Sequence, residues 1–185
     1  MNTDKLLAEQ AQLDEAIIKR KRLEGWSYFD RLMNTYVALD VELSEFANEG
    51  QWFKRWKQDP TPKADALKEY VDCIHFFLSI ANQQGWGDAL KLKNLDIETD
   101  QVDMDRSHAN VYYLEIKHNL NASIINQQND DVDAMDLKTC EMYFRLAWGI
   151  FIVLGRVYMR FTFDDMEQAY HDKNKVNHER QHNGY

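Results

Sequence analysis

Between Tyr70 and Ala81 the chain reads YVDCIHFFLSIA. Taken as a helix, this stretch turns an apolar side chain to nearly every side, so it is stable only when other helices or an interface enclose it. Three polar groups nevertheless fall inside it. Asp72, His75 and Ser79 are spaced three and four apart and align along one stripe, which Glu69 and Asp65 extend one and two turns earlier. An unpaired ionised carboxylate in such surroundings costs several kcal/mol. These acids must therefore be paired, protonated or bound to a metal.

A second helix poses a matching problem. Ser27 is placed to cap it, and Phe29, Leu32, Met33, Tyr36, Leu39, Leu43 and Phe46 make one broad apolar face that ends near Gly50. Glu42 and Glu45 lie one turn apart beside that face, and Glu49 continues their line. No lysine or arginine occurs from Asn34 through Trp52, so no local cation neutralises them. A single ExxE on a helix is ordinarily a solvated face. Two such pairs, Glu42 with Glu45 and Glu69 with Asp72, one of them in a nearly all-apolar helix, favour metal binding. Antiparallel packing of the two helices brings the four carboxylates together. Oxygen-only ligands of high charge suit Mg²⁺ or Mn²⁺, and Mg²⁺ keeps open positions for water and phosphates.

The rest of the chain reads as helix too. Seven glycines and two prolines in 185 residues leave few breaks. Leu6, Leu13 and Ile17 mark a first helix to about Arg22. Gln51 to Pro62 is a loop rich in aromatics and lysines, with Thr61-Pro62 as the start of the third helix, which ends at Gly85-Trp86-Gly87. After a long irregular connection come helices near Ser107 to Asn126, Asp133 to Met159 and Asp164 to His178, then a polar tail to Tyr185. Six helices without a period-2 strand predict an all-α helical bundle, one domain over residues 1–185. The acidic runs Asp100 to Asp105 and Asp130 to Asp133 read as solvated loops or helix starts.

A net charge of −9, from 22 basic and 31 acidic residues, gives no basic footprint for duplex nucleic acid. It is compatible with a polyphosphate bridged by cations. Cys73 and Cys140 sit in apolar helical segments and read as reduced packing residues of a cytoplasmic protein. Met1 to Gln10 lacks an apolar signal core. Leu146 to Met159, broken by Arg156, is too short to span a membrane.

The ELSE at Glu42 to Glu45 and the EYVD at Glu69 to Asp72 resemble the ExxE…ExxD pattern of the all-α NTP pyrophosphatase (MazG-like) superfamily. Within it, FKRW at Phe53 to Trp56, VDCIHFFLS at Val71 to Ser79 and LAEQAQLDEAI at Leu7 to Ile17 look specifically like dimeric dUTPases. The tail KNKVNHERQHNGY, Lys173 to Tyr185, resembles that family's C-terminal KNxxNxxRQxxGY block. The resemblance implies Mg²⁺-dependent hydrolysis of dUTP, and also dUDP, to dUMP by a homodimer. It implies Glu42, Glu45, Glu69 and Asp72 as metal ligands, with Glu45 rather than Glu42 activating the water. Lys173, Asn177, Arg180 and Tyr185 fall at phosphate-contacting positions. Gln10, Trp56 and His75 fall at base-contacting ones, with Gln12 competing with Gln10. Asp14 stands where the family often has asparagine. The apolar surplus of Phe144 to Met159 agrees with a dimer.

Three rivals stand beside this reading. One is a pyrophosphatase of the same superfamily acting on another dNTP such as dCTP, against which the tail block argues. Another is a di-iron carboxylate bundle, which needs acid-x-x-His pairs. Asp72 with His75 and Glu115 with His118 give that spacing, the second in a polar segment. The third is a non-catalytic helical protein that binds a partner through apolar helices; it has no use for four acids together with Lys173, Asn177 and Arg180.

Overall fold

The capping chemistry of the sequence sets most helix ends. In a computed structural model that describes residues 1–91, 103–125 and 134–183, six α-helices and no strand occur among the described residues. They are α1 (Thr3–Lys21), α2 (Tyr28–Gly50), α3 (Ala66–Gln84), α4 (Arg106–Ile125), α5 (Ala134–Val153) and α6 (Phe163–Asn183). Tyr185, the run Asp130 to Asp133, residues 100–102 of the run Asp100 to Asp105 and the outer ends expected at Asn126 and Asp133 lie outside the described residues.

Asn2 caps α1, its side chain accepting from the Lys5 amide. At the head of α2 the Ser27 hydroxyl accepts from the Asp30 amide at 3.0 Å and donates to the Asp30 carboxylate at 2.7 Å. Thr162 and Asp165 form the same reciprocal box ahead of α6. Gly85, with φ +71, ends α3 in a left-handed cap. The third helix departs from expectation at its start. It begins at Ala66, not at Pro62. Residues 61–63 are instead tied back to the end of α2: the Gln51 side chain donates to the Thr61 carbonyl and the Lys63 amide donates to the Glu49 carbonyl.

The chain folds as two compact units. The first holds Met1–Phe46, Asp65–Gly87 and Thr162–Tyr185, and in it α1, α3 and α6 pack on one another. The first unit's part of α2 runs antiparallel to α3. Tyr28 and Thr35 of α2 bond to Gln84 and Gln83 at the far end of α3, while Phe46 packs edge-on against Tyr70 near its start. Leu39, Leu43, Phe46, Tyr70, Ile74 and Phe77 are fully enclosed, each contributing about 1.5–3 kcal/mol by burial. As its pattern requires, α3 is buried on almost all sides from Glu69 to Ala81.

The second unit holds Ala47–Ala64 and Asp88–Phe161. There α4 and α5 pack together, and α5 runs into a π-helical turn, Leu154–Tyr158. Gly50 is required by close approach, because a Cβ there would run into the Trp52 ring. Trp52 packs edge-on against Tyr113 and Tyr158. The apolar surplus of Phe144 to Met159 is largely consumed inside this unit: Phe144, Trp148, Phe151, Ile152, Leu154 and Val157 are buried, whereas Val111, Leu114, Met142 and Leu146 stay exposed. No single described helix is long and apolar enough to cross a membrane.

Candidate active site

The first unit gathers acids from α2 and α3. One oxygen from each of Glu42, Glu69 and Asp72 lies within 4.8 Å of the others. Glu69 and Asp72 are buried and Glu42 is half-buried. Lys173, from α6, donates to Asp72 Oδ2 at 2.6 Å, and Lys68 to Glu69 Oε1 at 2.9 Å. Glu42 has no such cation among the described residues: its Oε2 is buried and no donor among them bonds to it. Burial, and then the negative charges of Asp72, Glu45 and Glu69, push the Glu42 carboxyl up from 4.5 to about 7, against the pull of Lys173. Burial likewise raises Asp72, partly offset by its bond to Lys173.

Three converging carboxylates, one with an orphaned oxygen, form a hard, electron-rich donor set that fits a divalent cation. Glu45 is placed differently. It is exposed and stands outside the three-acid group, though near enough for its charge to act on Glu42. The group contains no histidine, and Glu115 and His118 are exposed on α4, in the other unit.

A second constellation lies on α1, α3 and α6 of the same unit. Gln10, which in most proteins would be a surface residue, is 3% exposed here, while Gln12 is exposed. The Gln10 amide nitrogen donates to Asp14 Oδ1 at 2.8 Å and to Ser79 Oγ at 3.2 Å; its oxygen lies 2.7 Å from His75 Nδ1. The Ser79 hydroxyl donates to Asp14 Oδ2 at 2.6 Å. The His75 ring stacks on Tyr170 with 4.3 Å between centroids. Burial, and then the charge of Lys173, lowers the His75 pKa to about 3, so the ring is neutral. A mainly apolar cavity of about 390 Å³ abuts this network at Asp14 and Ser79 and is walled by Ile17, Trp26, Ala38 and Phe76 among others.

From Lys173 through Asn183 the tail is helix. α6 continues through Asn183, and Lys173, Asn177 and Arg180 recur on one face of it. Sequence reasoning missed Tyr170 and Asn174. Both are buried, and the Asn174 amide donates to the Tyr170 hydroxyl at 3.2 Å. Continuing the Lys173–Asn177 stripe one turn back would have found Tyr170. Trp56 lies in the second unit, 74% exposed and edge-on to Phe53. A family model described as dUTPase matches residues 2–185. No curated protein matches the chain.

Proposed function

The chain belongs to the all-α dimeric dUTPase family, and on that premise we propose that it hydrolyses dUTP, and dUDP as well, to dUMP with Mg²⁺ held chiefly by Glu42, Glu69 and Asp72 and with Glu45 as a peripheral fourth ligand. The observation that carries this reading is the three-acid group of α2 and α3, with its orphaned Glu42 oxygen. Hydrolysis of dUTP adds water across the α–β phosphoanhydride, and dUMP and pyrophosphate leave. Bound Mg²⁺, or Mn²⁺ in its place, would neutralise phosphate oxygens and acidify the attacking water.

The chain's own residues divide the remaining work. Glu69 and Asp72 are held by Lys68 and Lys173 and serve as fixed ligands. Glu45, exposed beside the group, is the carboxylate that takes the proton from water. Lys173 and Arg180, on one face of α6, offset charge on the phosphates, and Asn177 and Tyr185 add hydrogen bonds to them. His75, backed by the Gln10 amide at its Nδ1, reads the edge of the uracil. The neighbouring cavity supports a nucleoside-sized occupant in this unit.

The exposed Val111, Leu114, Met142 and Leu146 support a homodimer. Cys73 and Cys140, both buried thiols, support a reducing, cytoplasmic setting.

Pyrophosphate release from dUTP, dTTP, dCTP and UTP, each with and without Mg²⁺, tests the reading. Release from dUTP alone, and only with Mg²⁺, is expected; turnover of dCTP in preference to dUTP would replace the substrate assigned here. Arg180→Ala is expected to raise KM for dUTP about tenfold, the loss of one charge-assisted contact. Because Arg180 is exposed, the melting temperature should stay within about 1–2 °C of the wild type. An unchanged KM would remove Arg180 from phosphate binding.

A further inference from the structure

We infer that Asp14, acting through Gln10, locks the His75 ring in its Nδ1–H tautomer, so that His75 Nε2 presents a lone pair that accepts an N–H from a pyrimidine. The pyrimidine half of this inference rests on the base-binding role proposed above for His75; the tautomer half does not.

The direction of every bond follows from one end of the chain of contacts. Burial raises the Asp14 pKa, while the bonds from Ser79 and Gln10 pull it back toward the ionised form, which has no proton to give. Asp14 therefore only accepts, from the Ser79 hydroxyl at 2.6 Å and from the Gln10 amide nitrogen at 2.8 Å. The second amide hydrogen of Gln10 goes to Ser79 Oγ at 3.2 Å. With both nitrogen hydrogens turned toward Asp14 and Ser79, the amide oxygen faces His75 Nδ1 at 2.7 Å and the Tyr170 hydroxyl at 3.1 Å. A carbonyl oxygen cannot donate, so the proton of that contact sits on Nδ1. A neutral imidazole carries one ring proton, which leaves Nε2 without one. Nε2 is buried, and it has no hydrogen-bond partner among the described residues. A buried acceptor left unmet is costly, and a ligand N–H removes the cost.

The residue type at position 14 makes the lock. Uracil carries a hydrogen on N3, whereas cytosine carries a lone pair there, so a fixed acceptor favours the first. Asparagine at position 14 could either accept from the Gln10 nitrogen or donate to the Gln10 oxygen. The second arrangement turns the amide over, puts its nitrogen against His75 Nδ1 and moves the ring proton to Nε2. Asp14 is thus a positioning residue: it acts on the base through two other side chains.

Long-range ¹H–¹⁵N spectra of the nucleotide-free protein read the tautomer directly. The wild type is expected to show His75 with Nδ1 protonated and Nε2 bare. Asp14→Asn should populate the Nε2–H form to a substantial share, and Ser79→Ala, which keeps the Asp14–Gln10 bond, should not. An Nε2–H ring in the wild type, an unchanged ring in Asp14→Asn, or equal release by Ser79→Ala would each overturn the lock. The wild-type spectrum decides the matter even if Asp14→Asn does not fold. In turnover assays the dUTP-over-dCTP ratio of kcat/KM should fall about tenfold or more in Asp14→Asn. A shifted tautomer with an unmoved ratio would leave the lock standing and overturn both the pyrimidine half and the base-binding role of His75.

Discussion

Glu42→Gln is expected to remove nearly all dUTP hydrolysis while making the metal-free protein more stable. The two effects share one cause. Glu42 brings a third negative charge within 4.8 Å of Glu69 and Asp72, and no cation among the described residues bonds to its buried oxygen. That charge is useful only when a divalent cation answers it. Losing one of the three converging ligands should lower kcat/KM on the order of 10³-fold, several kcal/mol of transition-state stabilisation. Stability moves the other way. The Glu42 carboxyl ionises near pH 4.5 in the unfolded chain but near 7 in the folded one. Between those values the folded state keeps a proton that the unfolded state has lost, so stability falls as pH rises through the window and the loss is complete above it. Glutamine has no such proton. Half-exposure screens part of the effect, so the gain at pH 8 is roughly 1 kcal/mol, or about 2–4 °C in melting temperature. Thermal melts from pH 4 to 8 without metal check this. The difference between variant and wild type isolates Glu42 from His75, whose depressed pKa acts oppositely and weakens the fold as pH falls below 6.5. A wild type that melts higher than the variant at pH 8 would mean that Glu42 is already neutralised within the protein.

The acids were legible in the sequence because they broke a pattern. In α3 an enclosed apolar helix carries Glu69 and Asp72, and the cost of burying charge makes such residues conspicuous. Gln10 broke no pattern. Its partners come from three helices, Asp14 on its own and Ser79, His75 and Tyr170 on two others, and no local stretch of chain contains that closure. α6 was under-read for a related reason. Hydrophobic periodicity stops near Tyr170, yet the helix continues to Asn183 because Lys173 and Asn174 meet polar partners that periodicity does not count. At Thr61-Pro62 the error ran the other way. A sound local helix-start signal lost to the bonds that tie Thr61 and Lys63 to Gln51 and Glu49, and the helix began one turn later.

Glu45→Gln is expected to lower kcat about 10²- to 10⁴-fold, the range for loss of a positioned general base, while leaving divalent-ion affinity within a few-fold of the wild type. Glu42 and Glu45 are one turn apart on α2 and look alike in sequence, but they meet different surroundings. Glu42 is turned into the buried group and shares its repulsion, whereas Glu45 is exposed and outside it. A ligand is best held among other ligands; a base must reach water and release its proton to it. The pair should therefore separate in a direct titration. Mn²⁺ binding, followed by electron paramagnetic resonance without nucleotide, should collapse in Glu42→Gln and persist in Glu45→Gln. The Glu45→Gln enzyme should then bind dUTP with metal and fail to turn it over. Equal loss of Mn²⁺ in both variants would make Glu45 a ligand first and leave the base to be sought elsewhere. Retained turnover in Glu45→Gln would take it out of the mechanism altogether.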